Sequence, residues 1–175
     1  MTGLIIPYQG ILPEIAKDAF IAPNSTIIGK VKIGADSTIL FNTVIRGDVE
    51  AIYIGERTNL QDGTIVHVTG GKYETHIGNE VSIGHKALIH GATLEDRCFI
   101  GMSATVMDNV VVETGAMVAA GALVTPGKCV KSGEVWAGNP AKKMRDMKPE
   151  EIEMIPYVRD MYVNLGREYR RELEK

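Results

Sequence analysis

The chain has 175 residues, a net charge of −3 and 45% hydrophobic residues, which suits one domain with a small appendage. No basic run is present to grip nucleic acid, and no apolar stretch approaches the ~20 residues of a membrane-spanning helix. The first residues lack a signal-peptide pattern, and Cys98 and Cys129, without any other cysteine, fit a reducing, cytoplasmic setting with both thiols inert.

Residues 1–20 are expected to form an N-terminal cap. From Ile21 an aliphatic residue then returns at every sixth position: Ile21, Ile27, Ile33, Ile39 and Ile45; Ile54, Leu60 and Val66; Ile77, Ile83 and Ile89; and Leu94 through Ile100, Val106, Val112 and Val118 to Val124. So short a period marks stacked coils. One short strand per hexad and three hexads per coil give a triangular prism with the aliphatic residue inside. β-Branched residues dominate those positions and helical spacing is absent. Gly34, Gly55, Gly78, Gly84 and Gly101 are expected at tight corners, where bulk or an ordinary φ would not fit. The fold class is therefore an all-β solenoid, a parallel β-helix over residues 21–140.

The register breaks three times. Three extra residues lie between Ile45 and Ile54, five between Val66 and Ile77, and one is missing between Ile89 and Leu94. The first two read as outward loops, Asp48 to Tyr53 and Thr69 to His76; the third falls just after His90. His76 itself is expected to face solvent and stack with nothing. After Val124 comes a turn-rich segment, Pro126 to Pro140, with the single tryptophan, Trp136. Residues 141–175 are expected to form a helical segment packed on the prism. Pro149 opens a helix with Glu150, Glu151 and Glu153 in its first turns, where acids complement the dipole. Pro156 is expected to break or kink it, with a second helix running to about Glu174. Ile152, Ile155, Val158, Met161, Tyr162 and Leu165 make the apolar stripe that would lie on the prism's side.

Positions three hexads apart stack about 4.8 Å from each other. With both insertions bulging out, Arg46, His67 and His90 share one column, each directly after an inward aliphatic residue. Asp62 and His85 share another column on a different face, with Gln61 beside them. His67 and His90 can then converge on one metal ion, while His85 points elsewhere. A threefold trimer could set the two columns face to face, which makes a subunit interface the natural place for a three-histidine site. Three neutral imidazoles with an open position are the ligand set of a hydrolytic or hydrating zinc site.

The segments IRGD at Ile45–Asp48, NLQDG at Asn59–Gly63, VHV around His67, IGHKALIHG at Ile83–Gly91 and the ending WAGNPAKKMR resemble the gamma-class carbonic anhydrase family. The C-terminal YVRDMYVNLGREY is similar as well. The resemblance implies a left-handed β-helix and a homotrimer. It implies His67, His85 and His90 as ligands of one Zn2+ (or Fe2+ or Co2+) per subunit interface, with His85 supplied by the adjacent subunit. Arg46 and Asp62 resemble an interface ion pair with Asp48 as a further partner, and Gln61 resembles the residue that orients metal-bound water. Tyr162 is similar to a tyrosine leaning toward the site. The implied reaction is reversible hydration of carbon dioxide to bicarbonate by a metal-bound hydroxide.

The best-characterised active members carry an acidic loop with a glutamate proton shuttle. This chain's loops are short and offer only Glu50 and Glu74 for that role. Two other readings remain open: a hexapeptide-repeat acyltransferase with one histidine as base, and a metal-loaded structural trimer with little or no hydratase activity.

Overall fold

The hexad aliphatics all turn inward, and that fixes the architecture. Ile27, Ile45, Leu60, Ile83, Ile89 and Ile100 are fully buried, and the rest of the series lines the same continuous core. The computed structural model describes residues 3–173 and 175. In it the chain winds as a left-handed parallel β-helix of about seven coils, followed by one helix.

The first face stacks Leu4–Ile6, the beginnings of the long strands Thr26–Ile33 and Val44–Ile54, then Ile65–His67, Leu88–His90, Thr105–Val106 and Leu123–Val124. The second stacks Glu14–Ile15, the ends of the same two long strands, then Thr75–Ile77, Thr93–Leu94, Val111–Val112 and Cys129–Val130. The third runs from Phe20–Ile21 through Thr38–Ile39, Asn59–Leu60, Ser82–Ile83, Phe99–Ile100 and Met117–Val118 to Glu134–Gly138. Residues Leu4–Ile21 pair in register with the coil above, so the segment expected as a cap supplies one strand to each face. At the far end Ala141–Asp146 folds back antiparallel on Glu134–Gly138.

Corners divide two jobs that the sequence reading had given to one set of glycines. Gly34, Gly55, Gly78, Gly84 and Gly101 are absent from the positive-φ positions; their role is close approach. A Cβ at Gly55 would stand 2.6 Å from the Gly78 carbonyl of the next coil. The left-handed conformation falls instead on Asp36, Arg57, Glu80 and Arg97 at one corner and on Asn42, Lys86 and Ser103 at another. Such conformations are uncommon for side chains of this bulk, and the stacked corners hold them. Buried corner hydroxyls find backbone partners: Ser37 Oγ donates to the Gly55 carbonyl at 2.7 Å and Thr58 Oγ1 to Gly78 at 2.8 Å. Cys98 occupies one of these inward positions, and burial pushes its thiol well above the usual range.

The register breaks resolve differently from expectation. Asp48–Tyr53 is not a loop, because the strand Val44–Ile54 is unbroken. Gly29 pairs with Gly47 and Val31 with Ile52, and the surplus residues are absorbed as a bulge between those pairs. That bulge drops Tyr53 into the column of His76. The two rings stack, with centroids 4.9 Å apart, so His76 does have a neighbour. The second insertion is a short loop closed by a bridge between Thr69 and Tyr73, and His76 already belongs to the strand Thr75–Ile77.

Pro156 does not end the helix, which is a single element, Pro149–Leu173; the expected end at Glu174 lies outside the described residues. Pro156 is exposed, and so is Ile152, whose carbonyl lost its N–H partner, so water can serve it. The stripe is also shifted. Ile152 and Met161 are 57% and 44% exposed, while Ile155, Val163 and Gly166 are buried. The helix lies on the third face, where Tyr169 stacks on Phe20 and meets Phe41 edge-on. Arg159 to Glu80, Arg57 to Asp160 and Arg167 to Asp36 tie it to the corner ladder. At its start, Arg145 grips Glu151 through two 2.7 Å bonds, and Glu151 also accepts the Lys148 N–H. Those bonds hold the Glu151 carboxyl at about 2.

Gly166 sits tight against the solenoid. A Cβ there would meet Thr38 Oγ1 at 2.6 Å and Phe20 Cβ at 3.2 Å. Replacing it with valine is expected to lift this stretch off the third face. Hydrogen exchange should show faster exchange confined to the helix, at an overall cost of about 1–3 kcal/mol.

Candidate metal centre

The first face carries the first half of the site. His67 and His90 are directly paired in neighbouring strands, one residue after the buried Val66 and Ile89, and both side chains point outward. Arg46 extends the same column one coil earlier. Asp62 and His85 stack at the corner between the third and first faces, as their column predicts. Among the described residues of one protomer, no three His, Cys, Asp or Glu side chains converge as a metal group.

Each of the three histidines has one ring nitrogen on a carboxylate. His67 Nε2 meets Asp48 Oδ1 at 3.0 Å, His85 Nδ1 meets Asp62 Oδ2 at 2.8 Å, and His90 Nδ1 meets Asp108 Oδ1 at 2.8 Å. A neutral imidazole has a single N–H, which these contacts use, so the other nitrogen presents a lone pair. Nδ1 of His67 and Nε2 of His90 then face each other at 3.1 Å as two acceptors. Two lone pairs at that distance repel unless a cation lies between them. Nitrogens bound to one tetrahedral zinc at about 2.0–2.1 Å stand about 3.4 Å apart, close to this separation. The donor set therefore fits a divalent ion that accepts imidazole.

Around the pair the charges are arranged in order. Asp48 is largely buried beside His67 and Arg46. Burial alone would raise its carboxyl, but hydrogen bonds to His67 and Arg46 outweigh it and hold the group below the usual range. Arg46 pairs with Asp48 rather than with Asp62, whose second oxygen accepts the Phe41 N–H at 3.2 Å. The Arg46–Asp62 pair is thus not formed inside one protomer.

Gln61 is 4% exposed and is oriented by a relay: its Nε2 donates to Asn59 Oδ1 at 3.1 Å, and Asn59 Nδ2 donates to Ser82 Oγ at 2.8 Å. It shares a cleft of about 480 Å³ with Tyr162, walled largely by Met102, Met117, Met154 and Val158. Burial and the nearby charge of Asp62 push the Tyr162 phenol up. Glu50 follows Asp48 by two residues and accepts the Gly71 N–H at 2.9 Å. Glu74 is turned to His76, 2.9 Å away.

Sequence reasoning missed Asn59 and Asp108. Asn59 had a signal, since it stacks between Thr38 and Ser82 at a position where the later coils place Phe99 and Met117. Asp108 lies one coil beyond His90 and two residues after the aliphatic Val106. The deleted residue after Ile89 hid that proximity.

Two repeat families match in sequence: "Bacterial transferase hexapeptide (six repeats)" over residues 13–47, and "Hexapeptide repeat of succinyl-transferase" over 75–102 and 91–126. The chain is 48% identical to "Gamma carbonic anhydrase 2, mitochondrial" of Arabidopsis thaliana across 93% of its own length and 60% of that protein. It is 39% identical to a protein of Geobacillus kaustophilus named "Carbonic anhydrase", covering 95% of this chain and 91% of that one. The crystal structure of a hexapeptide transferase family protein from Anaplasma phagocytophilum superposes with a TM-score of 0.91 at 48% identity, over 95% of this chain and 98% of the other. The chain thus spans about 60% of the length of the plant relatives it matches.

Proposed function

The chain belongs to the gamma carbonic anhydrase family of hexapeptide-repeat proteins, and on that footing we propose that it hydrates carbon dioxide reversibly at metal sites shared between subunits of a homotrimer. One observation carries the reading: three outward histidines, each tied by one nitrogen to a carboxylate, with two of the remaining nitrogens facing at 3.1 Å.

His67 and His90 of one subunit and His85 of the next would hold the ion, with Zn2+, Fe2+ and Co2+ all compatible with imidazole. When bound, such an ion supplies Lewis acidity that brings water's pKa near neutrality. The chain's own groups do the rest. Gln61, locked by Asn59 and Ser82, orients the attacking oxygen through its side-chain amide. Asp48 and Asp62 keep His67 and His85 aimed. Across the interface, Arg46 of one subunit would reach Asp62 of the next, joining the two halves. Tyr162 closes the edge beside Gln61. The proton leaves by the Asp48 side, where Glu50 is the nearer carboxylate in sequence; Glu74 serves His76 instead.

The transferase names attached to the repeat family support a second reading, in which one histidine is a general base for acyl transfer. That reading needs one histidine and leaves the other two carboxylate pairs without a task. Stopped-flow carbon dioxide hydration on protein loaded anaerobically with Fe2+, and separately with Zn2+, decides between them. Metal-dependent hydration lost in His85→Ala is the expected result. Full metal occupancy without hydration would sink the assigned reaction and leave a structural metal trimer. Coenzyme A retained in place of metal would favour acyl transfer.

A further inference from the structure

We infer that Asp108 is a positioning residue for His90: with Thr69 it fixes the imidazole as the Nδ1–H tautomer and aims Nε2 at the metal position. The inference rests on the metal reading above and assigns it a residue from a coil outside the recognised motifs.

The contacts are specific. Asp108 Oδ1 accepts from His90 Nδ1 at 2.8 Å and from the Thr69 hydroxyl at 3.0 Å, so the carboxylate is held from two sides. Both side chains of the His90–Asp108 pair are about 30% exposed, partly shielded by the loop that Thr69 opens. Gly91, next to His90, makes the approach possible. A Cβ on Gly91 would collide with Asp108 Oδ1 and stand 3.0 Å from Tyr73 Cβ. The missing residue after Ile89 and the glycine that tightens this corner are thus the features that let the next coil's carboxylate reach the imidazole.

A carboxylate behind a ligating histidine fixes the ring's rotation and tautomer and raises its basicity, and losing one weakens metal binding by roughly 10–100-fold. Asp108 differs here from Asp48 and Asp62. Asp48 is shared with the Arg46 guanidinium, and Asp62 with the Phe41 N–H. Asp108 meets no cationic side chain among the described contacts, and its geometry serves His90 and the loop alone.

The test uses the full chain, with zinc affinity measured by chelator competition and histidine tautomers read by 15N NMR at about pH 8, above the usual imidazole range. Asp108→Asn keeps the size but can turn an amide N–H toward Nδ1. It is expected to bind zinc roughly 10–100-fold more weakly, with loss of the His90 Nδ1–H signature while the Nε2–H form of His67 and the Nδ1–H form of His85 are retained. Thr69→Val should cost about fivefold, one ordinary hydrogen bond. Thermal melting of the metal-free variants identifies any that lose the fold, a loss that would not single out the His90 signature. If Asp108→Asn retains both parental zinc affinity and the Nδ1–H form of His90, the positioning role is overturned while the metal reading stands. If the parent protein itself binds no zinc, Fe2+ or Co2+, the metal reading fails and takes this inference with it.

Discussion

Mixing His67→Ala chains with His85→Ala chains is expected to restore metal sites that neither variant has alone. Each variant by itself should bind essentially no metal, because in the proposed cyclic trimer every site would draw His67 and His90 from one subunit and His85 from the next. In a co-expressed one-to-one mixture, a site is whole when a His85→Ala chain donates the pair and a His67→Ala chain donates its intact His85. Random assembly of a closed ring makes that happen at about one quarter of the interfaces. Metal content and hydration should both recover to that fraction. The geometry motivates this expectation: His85 sits at a corner with Asp62, while His67 and His90 share the first face, and they do not converge within one protomer. Recovery near zero would mean that no site is assembled from two chains, and the trimeric arrangement would be abandoned.

Ile89→Ala, one residue before His90, should behave in the opposite way. Ile89 is fully exposed to the core and fully hidden from water, packed between Val66 below and Val106 above. Truncation leaves a gap that two stacked coils cannot easily close, since their backbones are held by ladder hydrogen bonds. A loss of about 2–5 kcal/mol is expected, read from the urea midpoint. Chain that remains folded should keep its metal stoichiometry, because His90 points away from the substitution. A loss below about 1 kcal/mol, roughly that of a single buried methylene, would show that the coils relax into the space.

Much of this was legible in the hexad spacing. Ile45, Val66 and Ile89 fall on one face because the repeat is strict, and His67 and His90 inherit their pairing from it. The same arithmetic separated His85 from them. Where the spacing failed, local backbone geometry had intervened. A three-residue surplus could leave as a loop or stay as a bulge in a long strand; Gly29 and Gly47, which nearly touch, allowed the second. Pro156 looked like a helix breaker, but it lies on the solvent side, where one lost hydrogen bond is cheap. Gly166 had no reason to be counted in an apolar stripe, although it is buried where the helix packs tightly on Thr38 and Phe20. Asp108 was invisible for another reason: its contact crosses coils at the one place where the period shortens.

The antiparallel return of Ala141–Asp146 over Glu134–Gly138 acts as a stop against polymer growth. A parallel solenoid repeats the same edge at every level, so an open end is a template for the next molecule's first coil. By reversing direction there, the chain covers the last edge of its third face with an antiparallel strand, and Lys142, Lys143 and Arg145 add charge to it. Such an edge disfavours end-to-end stacking of one solenoid on the next.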